Sequence, residues 1–389
     1  MKILYIAHST DGGGAGVALV NMAREMIAHG HEVYVVAPSD DCVVAQRLRE
    51  IGATILVVSV CLTIYPRTKN LVKWVASLLL HFWKWSKAKK SIKRAIVDNK
   101  IELVHTNVGP LNLAPPICRK LGIPHVWHLR EYQDLDFDMT FFPSKINFRR
   151  VIKEYGNYNI AITKGIYEYY NLRSDKDAVI YDGVISKQLY EKELPQQSQR
   201  DKVIILVGRI EKAKGMLDAI KAFVKFHQIH PEWRLQIVGS YNEESVYYKQ
   251  CKHACENSDC AENVIFMGAR NDVYDLMSNA RILVMPSKSE GFGFVTVEGM
   301  ANGCLVIARN TCGTKEQLDN GLALTGEEIA LRFNSQEELL TQMCNAAEND
   351  YSSMIERARR TIFELYSKKK WAQTLESFYK YVMDDFYKR

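Results

Sequence analysis

Short apolar runs alternate with amphipathic stretches along most of the chain. Residues 2–7 form the first run, residues 10–16 a glycine-rich turn, and residues 17–28 place Leu19, Met22, Ala23 and Met26 at helical spacing. A second apolar run follows at 33–37. This strand–helix–strand opening predicts a parallel sheet covered by helices on both faces. Further strands are predicted at 101–107, 125–131, 158–163 and 178–184. Beyond a polar stretch at 185–201, strands recur at 233–239, 263–269, 282–286 and 303–308, and residues 203–215 read as a strand ending in a basic turn. Helical spacing is found at 216–227, at 273–280, from about 294, and in the final segments 335–347 and 353–387. In the last of these, Trp371, Leu375, Phe378 and Tyr379 make an apolar stripe.

The chain of 389 residues is too long for one ordinary core, and the polar stretch 185–201, with Pro195 inside it, reads as a linker. Two α/β domains are expected, at 1–184 and 202–370. A composition of 47% hydrophobic and 25% charged residues is that of a globular protein, and no apolar run reaches the ~20 residues that span a bilayer. Residues 2–7 are too short for a signal peptide and read as a first strand. Nine cysteines, an odd number scattered through core-like stretches, predict free thiols in a reducing cytoplasm. Cys251, His253, Cys255 and Cys260 lie close together, but no second set completes a structural zinc site, and no metal is expected there.

The net charge of +6 is modest, but its distribution is uneven: from Arg67 to Arg94 there are nine basic residues and no acid. Trp74, Leu78, Leu79, Leu80, Phe82, Trp83 and Trp85 are interleaved with those lysines. Residues 67–94 are therefore expected to dock on an anionic membrane surface, with a core helix followed by a solvated basic turn as the other arrangement. No nucleic-acid motif accompanies the charge. Residues 134–150 show no clean period and read as a mobile acceptor loop, with Lys145, Arg149, Arg150 and Lys153 extending the basic face. The D-x-D spacing at Asp134 and Asp136 reads as a solvated acidic turn.

The densest chemistry lies in Ser287-Lys-Ser-Glu-Gly-Phe-Gly-Phe-Val-Thr-Val-Glu298, between an apolar strand and a helix. Gly291 and Gly293 supply the turn, and the amides from Gly291 to Phe294, with the helix dipole, suit an anion such as phosphate. Glu290 and Glu298 beside that site suit hydroxyls, as on a sugar and a ribose. A diphosphate between two polyhydroxylated rings, a nucleotide sugar, satisfies both. An ordinary strand–turn–helix with two solvated acids would show the same letters. Arg209 and Lys214, after the strand at 203, offer positive charge for a departing diphosphate. His105, His128, Arg130 and Glu131 fall at carboxyl ends of predicted strands, where open α/β sheets place ligands, and Arg130 and Glu131 are candidates for serving the acceptor. Gly12, Gly13, Gly14 and Gly16 do not fit the G-x-G-x-x-G register of a dinucleotide site.

The spacing Glu290-x7-Glu298, with the surrounding SEGFG and VEGMANGCLVIA, resembles the E-x7-E signature of family 4 retaining glycosyltransferases. The resemblance runs through the whole chain and is densest from 203 to 316. It implies the GT-B architecture, two Rossmann-like domains facing a central cleft, with the last helix, residues 371–389, crossing back to the first domain. It further implies transfer of a sugar from a nucleotide-diphosphate donor to an acceptor hydroxyl, with retention and without a metal. By the same resemblance Glu290 contacts the transferred sugar, Glu298 the ribose, and Arg209 and Lys214 the diphosphate. Residues just after Gly268 lie against the nucleobase, Gly13 and Gly14 line the acceptor and diphosphate side, and His128 matches a histidine near the reacting sugar. The candidate catalytic set is Glu290, His128, Arg209 and Lys214, and the amides of Gly291, Phe292, Gly293 and Phe294 complete the donor site. UDP is the favoured nucleotide because it is common among the family's donors. Asp182 stands where the family's V-I-x-N-G boundary usually has Asn, and in the loop 311–316 only Gly313 of a usual glycine pair is present, with Thr314 in place of the second. The basic aromatic flank suggests a glycan or glycolipid acceptor at the inner face of the cell membrane. A nucleotide-sugar epimerase, or a catalytically silent membrane-associated binding protein, are the alternatives.

Overall fold

A computed structural model of the chain describes residues 1–7, 13–58, 60, 64–66, 71–109, 111–135, 139–141, 143–256 and 258–388. The chain divides into two compact units, Met1–Gly183 with Lys368–Arg389, and Val184–Ser367.

In the first unit, β1 (Lys2–Ile6), β2 (Glu32–Ala37), β3 (Thr54–Val57), β5 (Leu103–Thr106), β6 (His125–Leu129), β8 (Asn157–Ala161) and β9 (Ala178–Val179) form a parallel sheet in the order β3-β2-β1-β5-β6-β8-β9. The strands β5, β6 and β8 are buried along their full length, as expected of a sheet covered on both faces. A separate antiparallel pair joins β4 (Ile64–Pro66) to β7 (Met139–Phe141).

The helix Gly14–Ala28 starts three residues before its predicted position, with Gly13 as its N-cap. Its buried Leu19, Met22, Ala23 and Met26 pack in one core with Trp371, Leu375, Phe378, Tyr379 and Val382 of the helix Lys368–Tyr387. The predicted helix 353–387 is thus two helices, Ser352–Tyr366 and Lys368–Tyr387, broken at Ser367, whose ψ of 141° is extended. The predicted strand 178–184 is reduced to β9, and the predicted irregular loop 134–150 contains β7 and the helix Lys145–Val151.

In the second unit, β10 (Asp201–Val207), β11 (Arg234–Val238), β12 (Val264–Gly268), β13 (Ala280–Met285), β14 (Leu305–Arg309) and β15 (Leu331–Phe333) are all parallel, in the order β12-β11-β10-β13-β14-β15. This is the doubly wound order, which reverses direction between β10 and β13, and such sheets bind ligands outside the strand ends at that point. The expected linker 185–201 is folded onto this unit. It holds the helix Lys187–Glu191, and the buried Arg200 donates to the carbonyls of Pro195 and Ala280.

The helix Leu71–Asp98 is continuous. Its second half packs through Ala88, Ile92 and Ile96, with Trp85 half-buried beside them. Its first half is exposed instead: Val72, Val75, Leu79, Phe82 and Trp83 fall on one helical face, with Leu79 68% and Trp83 65% accessible. A core helix followed by a basic turn is therefore not what forms, because the basic half is the packed half. Arg67 and Lys69, included in the predicted docking segment, lie outside the described residues.

Candidate active site

Three loops of the second unit are pinned together at the sheet's switch point. After β10, Gly215 takes a left-handed φ of 68°, and a Cβ there would stand 2.2 Å from the Pro286 carbonyl oxygen at the end of β13. The Lys288 amide donates to the Ala213 carbonyl at 2.8 Å, fixing the same two loops side by side. From β14, the Gly313 amide donates to the Glu290 carbonyl at 2.9 Å, and a Cβ on Gly313 would stand 2.4 Å from the Gly291 carbonyl oxygen. These glycines are required by close backbone approach.

The clamp brings Lys214 Nζ to 2.5 Å from Glu290 Oε1, both largely buried. Beside them the helix Phe294–Ala301 begins, with Gly293 as N-cap at φ 94°. Its first amides have no partner within the helix, and they carry the positive end of its dipole. Phe292 contributes backbone only, since its ring is buried against Phe294 and Tyr366. Glu298 lies one turn into the helix, and its Oε1 accepts from the Tyr274 hydroxyl at 3.0 Å. Gly268 ends β12 at φ 68° with open space where a Cβ would be, and its carbonyl accepts from the Gly239 amide. Arg209 follows β10 with its side chain half-exposed, 3.4 Å from Glu211.

In the loop 311–316 the left-handed residue is Cys312, at φ 46°, whereas Thr314 is buried inside the helix Cys312–Thr325. The position that favours glycine and lacks it is therefore 312, not 314.

The first unit holds a second cluster, at the ends of β5 and β6. Arg130 is ion-paired with Asp182, both almost fully buried, and donates to Asn107 Oδ1 at 3.0 Å and to His128 Nδ1 at 3.2 Å. A guanidinium can only donate, so His128 is neutral and carries its proton on Nε2. Burial, and then the Arg130 charge, push its pKa well below the usual histidine range. His105 is shifted the same way, and its Nδ1 lies 2.6 Å from the Tyr379 hydroxyl. The sequence reading put His128 beside the sugar and Arg130 at the acceptor. Here His128 has 0% exposure and Arg130 4%, so they form a buried network that ties strand ends to the helix Lys368–Tyr387.

Gly13 and Gly14 are exposed at the start of the first helix, where the Gly13 carbonyl accepts from the amides of Gly16 and Val17. Asp134 is not simply solvated, because it takes the Tyr169 hydroxyl and pairs with Lys145 at 3.5 Å, while Asp136 lies outside the described residues. Lys145 also stands 3.4 Å over the Tyr169 ring, and Arg149 donates to the Tyr169 carbonyl. Those two cations serve the local fold instead of an open basic face. Tyr274, Ser278 and Asn302 were not singled out by sequence. Their only signal is the matched spacing of four from Tyr274 to Ser278 and from Glu298 to Asn302.

Comparison with known proteins covers both units. A family model described as Glycosyltransferase Family 4 matches residues 12–184, and one described as Glycosyl transferases group 1 matches residues 190–361. The N-acetyl-alpha-D-glucosaminyl L-malate synthase of Bacillus anthracis is 24% identical over 55% of this chain, and the chain spans about half (56%) of that protein's length. An uncharacterized glycosyltransferase of Haemophilus influenzae is matched over 32% of its length. The alpha-monoglucosyldiacylglycerol synthase of Acholeplasma laidlawii is 24% identical over 95% of this chain and 94% of its own length. Among solved structures, Anabaena HepE in complex with UDP and glucose superposes with a TM-score of 0.77 at 18% identity, covering 98% of this chain and 99% of HepE. That likeness is one of fold. With one model matched to each half, the chain belongs to the family 4 glycosyltransferases.

Proposed function

We propose that this protein transfers a sugar from a nucleotide-diphosphate donor, with UDP-sugars favoured, to an acceptor hydroxyl with retention of configuration. The observation that carries this is the Lys214–Glu290 pair clamped beside the first amides of the helix Phe294–Ala301. As the bond from the anomeric carbon to the diphosphate oxygen breaks, negative charge grows on the leaving group. Lys214, Arg209 and the amides from Gly291 to Phe294 stabilise it, and groups fixed in advance cost no reorganisation at that moment. Glu290 orients the sugar through its hydroxyls and Glu298 holds the ribose. The acceptor oxygen bonds to the anomeric carbon from the face the diphosphate leaves, and its proton goes to the departing phosphate oxygen, which gains basicity as the bond breaks. With fixed cations and a helix N-terminus supplying the positive charge, the reaction runs without a metal ion. His128 holds Arg130 at the end of β6 within the first unit.

The UDP preference is supported by HepE, solved with UDP and glucose. A glycolipid or polysaccharide acceptor is supported by relatives named for such products, the Acholeplasma laidlawii synthase and a lipopolysaccharide 1,2-N-acetylglucosaminetransferase of Salmonella typhimurium. It is also supported by the exposed apolar face of the helix Leu71–Asp98 with its lysines, which suits the inner, anionic surface of a membrane. No described helix is long and apolar enough to cross a membrane, so docking at the surface is the mode this helix would use.

The test is a thermal-shift panel of UDP, GDP, ADP and their sugars in EDTA, with Glu298→Ala as control, followed by UDP release from the binding sugar in the presence of lipid extracts. A shift for one base, absent in the control and unaffected by EDTA, with acceptor-dependent release, is the expected result. Binding without release would favour the silent binding protein, and no binding at all would overturn the donor assignment.

A further inference from the structure

Glu298 does not stand alone on its helix. Its partner Tyr274 is on the helix Val273–Asn279, and one turn further along both helices a second pair repeats the contact. The Ser278 hydroxyl lies 2.8 Å from the Tyr274 carbonyl and 3.2 Å from Asn302 Oδ1, with one proton to share between them. Asn302 Nδ2 donates to the Glu298 carbonyl at 2.9 Å. The four residues close a ring of hydrogen bonds: side chain to side chain at Tyr274 and Glu298, and back through Ser278 and Asn302.

The two rungs differ in environment. Ser278 and Asn302 are 5% and 0% exposed, so the inner rung fixes the register of one helix against the other. Tyr274 is 39% exposed, so the outer rung lies at the surface where the donor's ribose is expected. Burial, followed by the Glu298 charge, pushes the Tyr274 phenol above its usual pKa, and it remains a donor throughout the physiological range. A glutamate on a helix surface has several accessible rotamers, and ordering it costs free energy each time a ligand binds. A carboxylate with one oxygen already held by a neutral phenol has met that cost before binding.

Building on the ribose role of Glu298 given above, we infer that Tyr274 is a positioning residue: it holds the Glu298 carboxylate in the orientation that accepts from the ribose 2′- and 3′-hydroxyls. It thereby sets the enzyme's preference for ribonucleotides.

The experiment measures Kd for UDP and for 2′,3′-dideoxy-UDP by calorimetry on wild type, Glu298→Ala and Tyr274→Phe. Wild type is expected to favour UDP by about tenfold or more, the range of a charge-assisted hydrogen bond. Glu298→Ala should bring the ratio close to one. Tyr274→Phe removes one oxygen and should lower the ratio at least ~3-fold while leaving the dideoxy-UDP Kd unchanged, which also reports that the site is folded. In turnover the same variant should raise KM for the donor with little change in kcat. A Tyr274→Phe ratio equal to wild type, with Glu298→Ala near one, overturns the positioning role and leaves the ribose reading standing. If Glu298→Ala also keeps the wild-type ratio, both fall.

Discussion

Lys214 and Glu290 neutralise one another across 2.5 Å, although one reaches from the loop after β10 and the other from the loop after β13. Under the proposed function, a diphosphate taking Lys214 as its counter-ion would free Glu290 for the sugar, so the pair would couple leaving-group binding to sugar orientation. Lys214→Met should weaken UDP binding and lower kcat by about 10²–10³-fold. Glu290→Gln should leave the UDP Kd within a few-fold of wild type, or tighten it, while kcat falls by a similar factor. Equal losses of UDP affinity in both variants would contradict the assignment.

The loop clamp depends on two hydrogens. Gly215→Ala introduces a Cβ 2.2 Å from a carbonyl oxygen at a left-handed φ, and Gly313→Ala one at 2.4 Å. Each should cost about 1–3 kcal/mol of stability and abolish the nucleotide-induced rise in Tm. Gly326→Ala, at φ 75° with nothing within 4 Å, is the control that should keep the nucleotide response.

Arg130 and Asp182 are buried at 3% and 1% side-chain exposure. Removing one partner leaves an uncompensated buried charge, so Asp182→Ala should cost about 3–5 kcal/mol in urea unfolding. The double change Arg130→Met with Asp182→Leu should cost much less, because two apolar side chains can fill the same space. A double variant less stable than the single one would show that the network depends on the pair itself.

Acid should loosen the first unit. Burial lowers the pKa of His105, His125 and His128 in the folded chain, His125 to about 3, while each unfolded imidazole returns to about 6.5. Between the folded and unfolded values the unfolded chain binds more protons. The stability held by the neutral rings is complete above pH ~6.5 and falls as pH drops, by up to ~1.4 kcal/mol per unit for each histidine. Asp182, raised by burial, works in the opposite sense. Tm should be lower at pH 5 than at pH 7, and the slope should be shallower in His125→Gln.

The exposed face of the helix Leu71–Asp98 should bind vesicles containing anionic lipid. Lys87→Glu with Lys90→Glu should weaken binding in a salt-dependent way. Leu79→Ser with Phe82→Ser should weaken it independently of salt, because an apolar contact is lost. Sedimentation with anionic vesicles unchanged in both double variants would rule out this face as the docking surface.

Most of the strands were legible because buried parallel strands write themselves as short apolar runs, but β3, β4, β7 and β15 were not, nor was the order of the strands within each sheet. The positions of Glu290, Glu298, Arg209 and Lys214 in the turns and helix start after the strands were legible as local spacing around glycines. The partners that tune them were not. Tyr274 meets Glu298 across 24 positions of sequence, and Lys214 meets Glu290 across 76. Periodicity carries no information about such pairings. His128 was placed at the correct strand end, but whether a residue there faces solvent or the interior depends on Arg130 and Asp182, which are distant from each other in sequence. The helix break at Ser367 was missed because helical spacing continues on both sides of one extended residue.

The helix Lys368–Tyr387 supplies Trp371, Leu375, Phe378, Tyr379 and Val382 to the core of the first unit, yet it follows the whole of the second in sequence. The order of synthesis and the order of completion are therefore reversed. On the ribosome, residues 1–183 emerge first with one wall of their core still missing, and Val184–Ser367 can close as a continuous piece before that wall arrives. A nascent chain halted at Ser367 would present a finished second unit and a first sheet with part of its apolar core uncovered, so the half that is made earlier is the half most in need of protection during synthesis.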